Sequence, residues 1–211
     1  MGIRIRVENV RVSFAEGLSV ASAFEEGQTK KYGADFLLVP GSAVKKKTES
    51  GYVKVASVTD ILMEAAVETW KTPEAAKAML KALEASRKSI RRGDTRVNKS
   101  GDVYEGYAGV LYIAAKSKQR PTLLDRQGLP LSEDQRSKIY SGCYVTAIID
   151  IYGVSDPKRK GVFAGLSAVQ FVRDGDAFAG GAPVTADDIE DLGAEDGEEL
   201  AQEAVAEDDL V

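Results

Sequence analysis

Residues 187–211 hold twelve acidic side chains and no lysine or arginine, which limits the fold before any motif is considered. The segment is mostly Ala, Gly, Asp and Glu with no aromatic ring, too little apolar area to offset the entropy of ordering it. The expected division is a folded domain over residues 1–183 and a disordered acidic tail over 184–211. Charge divides the same way. All 28 basic residues precede position 187 and meet only 21 of the 33 acidic ones, so a net charge of −5 conceals a body of +7 beside a tail of −12. A basic body is expected to hold a polyanion, and a tethered acidic tail to compete with it for that surface. The ending Asp208-Asp209-Leu210-Val211, two acids then two apolar residues, suits an exposed peptide for partner proteins.

Composition removes much familiar enzymology. With no His and one Cys there is no histidine triad, imidazole base, zinc site or disulfide framework. Cys143, beside Gly142 at the start of an apolar strand, reads as a small buried residue. No glycine-rich phosphate loop lies between a strand and a helix, and no cofactor is implied. No apolar run approaches the roughly 18 to 20 residues that span a bilayer. The first fourteen residues alternate Arg with Ile and Val, unlike a signal peptide, so a cytoplasmic protein is expected. Asp102, Glu105 and Asp150 are the carboxylates a Mg-dependent nuclease or resolvase would use. Alternation sets Asp150 opposite Ile149 and Ile151, on the solvated face of its strand. A structural or adaptor protein whose basic face meets an acidic protein is the remaining alternative.

Apolar patterning gives mainly β structure with helical insertions. Ile3, Ile5 and Val7 share one parity and Val10, Val12 and Phe14 the other, which a bulge at Glu8-Asn9 reconciles. Further strands are expected over 31–39, 51–58, 107–116, 143–152 and 161–172, with Lys45, Lys46 and Lys47 in a loop. Ile61, Leu62, Ala65, Ala66 and Trp70 have helical spacing. Thr72-Pro73 opens a second helix whose apolar stripe is Ala76, Met79, Leu80 and Leu83. Lys81, Arg87, Lys88, Arg91 and Arg92 load its second half, and Gly93 is placed to end it. Ser132 is expected to cap a short helix ending near Tyr140. Strands without βαβ alternation point to a small barrel with helical elaboration.

Residues 87–126 are the densest basic and aromatic mixture, ten Lys or Arg against four Asp or Glu. Cations attract phosphates regardless of sequence, and exposed rings stack on unpaired bases. The candidate phosphate contacts are Arg91, Arg92, Lys116, Lys118 and Arg120, with Lys158, Arg159 and Lys160 in a turn that would wall a groove. The candidate stacking residues are Tyr104, Tyr107, Tyr112 and Tyr152. The ligand they suit is a polyanion with unpaired bases.

Tyr107-Ala108-Gly109, Ala114-Ala115-Lys116-Ser117 with Arg120-Pro121, Tyr140-Ser141-Gly142-Cys143-Tyr144, Gly165-Leu166 with Val169-Gln170, and Arg173-Asp174-Gly175 follow one another in order. Together they resemble a family of bacteriophage single-stranded DNA-binding proteins. The resemblance implies an elaborated five-stranded OB-fold barrel with an acidic C-terminal tail. It also implies a non-enzymatic role coating exposed strands during phage replication, recombination or repair in an infected bacterial host, with replication or recombination proteins as tail partners. Ser167-Ala168 stands where the family often has Asn-Asn, and Arg92-Gly93-Asp94 departs from its Arg-Asp-Gly-Asp.

Overall fold

The parity switch in the first strand is the bend on which the barrel turns. In the computed structural model, which describes residues 2–23 and 29–178, β1 spans Ile3–Ser13. Ile3, Ile5 and Val7 point into the core, and so do Val10 and Val12. The register against β8 (Tyr144–Val154) slips between Val7 and Val10, with Asn9 at φ 53°. One extra residue therefore keeps both halves of β1 facing inward. The tail boundary at 183–184 and Asp208, Asp209, Leu210 and Val211 lie outside the described residues.

Five strands close the barrel in the order β1, β2 (Tyr32–Leu38), β6 (Leu111–Ser117), β9 (Gly161–Arg173), β8 and back to β1. Every pairing is antiparallel except β6 with β9, where Lys116 sits opposite Gly165. Closure leaves no free barrel edge. Phe36, Ile113, Ala115, Ile149, Ile151, Leu166 and Val169 fill the interior with the apolar side of β1. Burying each large aliphatic side chain contributes about 1.5–3 kcal/mol. The expected five-stranded barrel with helical insertions is the observed architecture.

Two insertions decorate it. Between β2 and β6, β3 (Ala43–Thr48) pairs with β1 and carries β4 (Gly51–Lys54) on its outer edge. Lys45, Lys46 and Lys47 are thus in a strand rather than a loop, because β2 takes the second side of β1 only over Arg11–Ser13 and leaves Ile5–Glu8 to pair with β3. Helix α1 (Val58–Trp70), capped by the Ser57 hydroxyl, buries Val58, Ile61, Ala65 and Ala66. Helix α2 (Pro73–Ala82) starts at the expected Thr72 cap but stops far short of Gly93. Arg87 lies in a short 3₁₀ turn, and Ile90–Arg92 form β5 against β6. Pairing Ile90 with Ile113 buries an apolar side chain that a continued helix would leave outside, so tertiary contact overrides helical propensity. Between β6 and β8 runs β7 (Thr122–Leu124), and the expected helix after Ser132 is only a 3₁₀ turn at Arg136–Lys138. Tyr107 lies in a loop before β6, not in a strand.

Candidate nucleic-acid interface

The outer side of β2 and β6 is paired row by row: Gly33 opposite Lys116, Asp35 opposite Ala114, Leu37 opposite Tyr112. The loop 104–110 folds back over one end of this face. Leu37, Tyr107 and Tyr112 form a buried cluster there, ringed by Phe14, Tyr104, Val110, Ala114 and Phe178. The open end is a cleft of about 510 Å³ whose lining includes Phe14, Lys31, Tyr32, Asp35, Arg96 and Lys116. Gly33 makes its floor thin, because a Cβ there would stand 2.7 Å from the Ala115 carbonyl oxygen.

Asp35 organises the cleft. Its carboxylate accepts a hydrogen bond from the Tyr107 hydroxyl at 2.8 Å and an ion pair from Arg96 Nε at 3.3 Å. Burial pushes the Asp35 pKa upward, while Arg96 and Tyr107 pull against it. The Arg96 guanidinium is in turn 4.9 Å from the centre of the Phe14 ring and 5.7 Å from that of Tyr104. Burial opposes the Arg96 charge, yet Asp35 and its neighbours hold the group more basic than usual. Phe14 holds its ring here with φ 57° and ψ 42°, a left-handed conformation that is costly for a bulky residue and tends to persist at functional sites. Lys116 projects from the same face. Partial desolvation, then repulsion from Arg91, lowers its pKa, and Lys31 and Arg96 add to that repulsion. Arg96, Arg91 and Lys116 thus act on one buried carboxylate, with Lys31 lining the same cleft beside aromatic rings, an arrangement suited to phosphates and unpaired bases.

The candidate residues are dispersed. Lys116 lines the cleft, with Arg91 close by, although the Arg91 guanidinium turns back to the carbonyls of Lys88 and Ser86. Tyr104 stands edge-on to Phe14 at 5.3 Å, half-buried. Tyr107 and Tyr112, read as stacking residues, are sealed at 0% and 2% exposure; Tyr112 does face outward, but Tyr107 covers it edge-on at 5.0 Å. Rings enclosed in this way cannot stack on a base. Arg120 donates to Glu133 and to the Ser19 carbonyl, tying loops together. Arg92 and Lys118 are exposed beside the ends of β6. Lys158, Arg159 and Lys160 form the β8–β9 turn, shaped by the backbone N–H of Lys158 donating to the Asp156 carboxylate. The bridge between Lys88 and Val162 brings the Arg87-Lys88 segment to the strand that leaves this turn. Tyr152 is 40% exposed on the outside of β8, next to Phe163 at 6.2 Å.

Sequence reading missed Phe14, Lys31, Tyr32 and Arg96. The signal for two of them was the run Lys30-Lys31-Tyr32 at the entry to β2, basic and aromatic as in 87–126.

The Asp150 carboxylate is otherwise engaged. Asp150 accepts two hydrogen bonds from Arg4 at 2.9 Å each and one from Ser167 at 3.2 Å, and its hydrogen bonds to Arg4 hold its pKa low. Asp102 closes a turn whose backbone N–H groups donate to Asn98. Among the described residues, no three acidic or thiol groups gather as a metal site. Burial pushes the Cys143 thiol up to about 11, which leaves it protonated and unreactive at neutral pH.

Tyr140-Ser141-Gly142-Cys143-Tyr144 and Arg173-Asp174-Gly175 form one clasp. The Tyr140 hydroxyl donates to the Gly175 carbonyl at 2.8 Å, and the Ser141 hydroxyl accepts from the Ala15 amide at 3.0 Å. The Arg173 guanidinium lies 3.3 Å from the Tyr144 ring centre. Gly142 has φ 110°, and a Cβ there would be 2.2 Å from the Asp176 carbonyl oxygen. The clasp leads the chain to Phe178, whose N–H donates to the Ser141 carbonyl and whose ring packs over Gly106 beside Leu37.

Residues 3–205 match the family model described as the Enterobacter phage Enc34 ssDNA-binding protein. A relative from Acyrthosiphon pisum secondary endosymbiont phage 1, called "Putative protein p50", is 35% identical over 199 residues, covering 94% of this chain and 98% of that protein. The single-stranded DNA-binding protein of bacteriophage Enc34 in complex with ssDNA has a similar fold, with TM-score 0.54 and 20% identity over 83% of this chain and 89% of its own. The same phage protein described without ssDNA gives TM-score 0.53 and 19% identity over 85% of this chain and 86% of its own. With its closed barrel and a family match over nearly its whole length, this chain belongs to the Enc34-type family of phage single-stranded DNA-binding proteins.

Proposed function

We propose that the protein coats single-stranded DNA with little sequence preference, by occlusion rather than catalysis, in the cytoplasm of an infected bacterial host. Family membership supports the ligand. The observation that carries the location is the cleft on the β2–β6 face, where Arg96 is held between Asp35 and two aromatic rings with Lys31 and Lys116 beside it. OB-fold barrels use this face and the adjoining loops for oligonucleotides. Phosphates meet the cations, and bases meet Phe14, Tyr32 and Tyr104. The acidic tail contends with DNA for the basic surface and recruits replication or recombination proteins. Opposite charge supports this, with +7 over residues 1–186 and −12 over residues 187–211.

Fluorescence anisotropy with labelled dT oligomers and matched duplex tests the reading. Single strands bind in preference to duplex, with a log-log salt slope of about −0.7 per phosphate neutralised. Lys116→Ala lowers that slope; an unchanged slope removes the cleft from the DNA path. A chain ending at Pro183 binds more tightly at low salt, and equal affinity refutes competition by the tail.

A further inference from the structure

The outer face of β1, β3 and β4 is a second strongly basic surface. Register places Arg6 opposite Lys45, Lys45 opposite Lys54, and Lys47 opposite Tyr52, so three cations stand in one row across three strands. Like charges directly opposite in a sheet are destabilising. Glu8 offsets part of this, accepting from Arg6 at 2.7 Å and Lys45 at 2.8 Å. The Tyr52 ring lies between Arg6, 4.5 Å from its centre, and Lys47, 5.1 Å away. Lys47 and Lys54 are exposed without an acidic partner among the ion pairs of the described residues. With Arg4 the face carries five cations against Glu8 and Asp150. Lysines often guard a free edge such as β4. That need would be met on β4 alone, whereas here the charge reaches β1, which is paired on both sides.

We propose that this face is a second binding surface for the phosphate backbone of the same DNA strand that occupies the cleft. The inference rests on the cleft reading for its starting point. Continuity favours it, because Lys116, Gly165, Asp150 and Arg4 are successive opposite residues around the barrel. Three strand spacings, about 14 Å, separate the cleft lysine from the basic face. The crossing is low and uncharged overall. Gly165 has no side chain, Asp150 is neutralised by Arg4, and the exposed Tyr152 ring stands beside Gly165 as a platform for a base.

The test is salt-dependent binding of dT oligomers of about 4 and about 30 nucleotides, the shorter at the low end of a barrel site and too short to run from the cleft to Lys47 and Lys54. It uses wild type, the double variant Lys47→Ala/Lys54→Ala and Arg96→Ala, with thermal melts to verify folding. The double variant binds the short oligomer as wild type does. It loses about tenfold on the long one, with a log-log slope shallower by about 1.4. Wild-type affinity and slope on the long oligomer, with or without new self-association, overturns the proposal and leaves the lysines as edge guards. Equal losses on both lengths also overturn it, since the lysines would then belong to the first site. If Arg96→Ala binds both lengths normally while the double variant fails on the long one, the cleft reading falls and the basic face stands.

Discussion

The two basic faces of this barrel handle their charge in opposite ways. On β2–β6 the cations gather beside a buried carboxylate, and Arg96 is fixed there by an ion pair and two aromatic rings. On β1–β3–β4 they stand side by side, with Lys47 and Lys54 open to solvent. A fixed cation gives geometry and can orient a base or a phosphate, while mobile surface lysines supply a screened attraction that follows a backbone anywhere. On the proposed reading, the cleft serves position and the open face serves reach.

The sharpest way to break this contrast is Arg96→Ala. It removes a fixed contact worth about 1.5–3 kcal/mol and lowers single-strand affinity by roughly 10- to 100-fold in anisotropy titrations. A loss no larger than that of one surface lysine erases the distinction. Tyr107→Phe comes next. The buried Asp35 loses its hydroxyl donor, and chemical denaturation shows about 1–3 kcal/mol less stability. Tyr152→Ala is expected to cost about 1 kcal/mol of DNA affinity, roughly fivefold, for one stacked base, whereas Tyr112→Phe leaves affinity unchanged because that ring is sealed. The smallest effect is Arg4→Met. Arg4 depresses the Asp150 pKa, so the pair stabilises the fold above the unfolded carboxylate value, about pH 4, and that stability is lost as pH falls through the lower folded value. Both groups are partly solvated, so the variant flattens the acid limb by about 0–1 kcal/mol in urea titrations between pH 2 and 6.

The barrel strands were readable because burial imposes parity, and a switch of parity imposes a bulge. β1 shows this at Glu8-Asn9. β9 repeats it: Val162, Ala164 and Leu166 point inward on even positions, then Val169 and Phe171 on odd ones, with the register slipping where Ile148 and Ile149 meet Ala168 and Leu166. The same signature was present in the sequence of 161–172 and marks Ser167, beside Ala168 where the family often has Asn-Asn. The site was harder to read, because its chemistry depends on contacts between distant segments. Nothing near Arg96 announces Asp35, and alternation around Tyr112 cannot reveal that the loop bearing Tyr107 folds back over it. Basic residues after Leu83 looked like a helix end because cations suit a helix C-terminus, whereas the backbone there is decided by Ile90 pairing with Ile113 in β5.

Arg96 is held by partners the folded chain itself supplies, Asp35 on one side and the Phe14 and Tyr104 rings on the other. Loss of rotamer freedom at that side chain thus accompanies folding of the protein rather than capture of its ligand. On the proposed reading, an incoming strand meets a side chain that needs little rearrangement, which leaves diffusion and the unstacking of the DNA's own bases to set the pace of encounter.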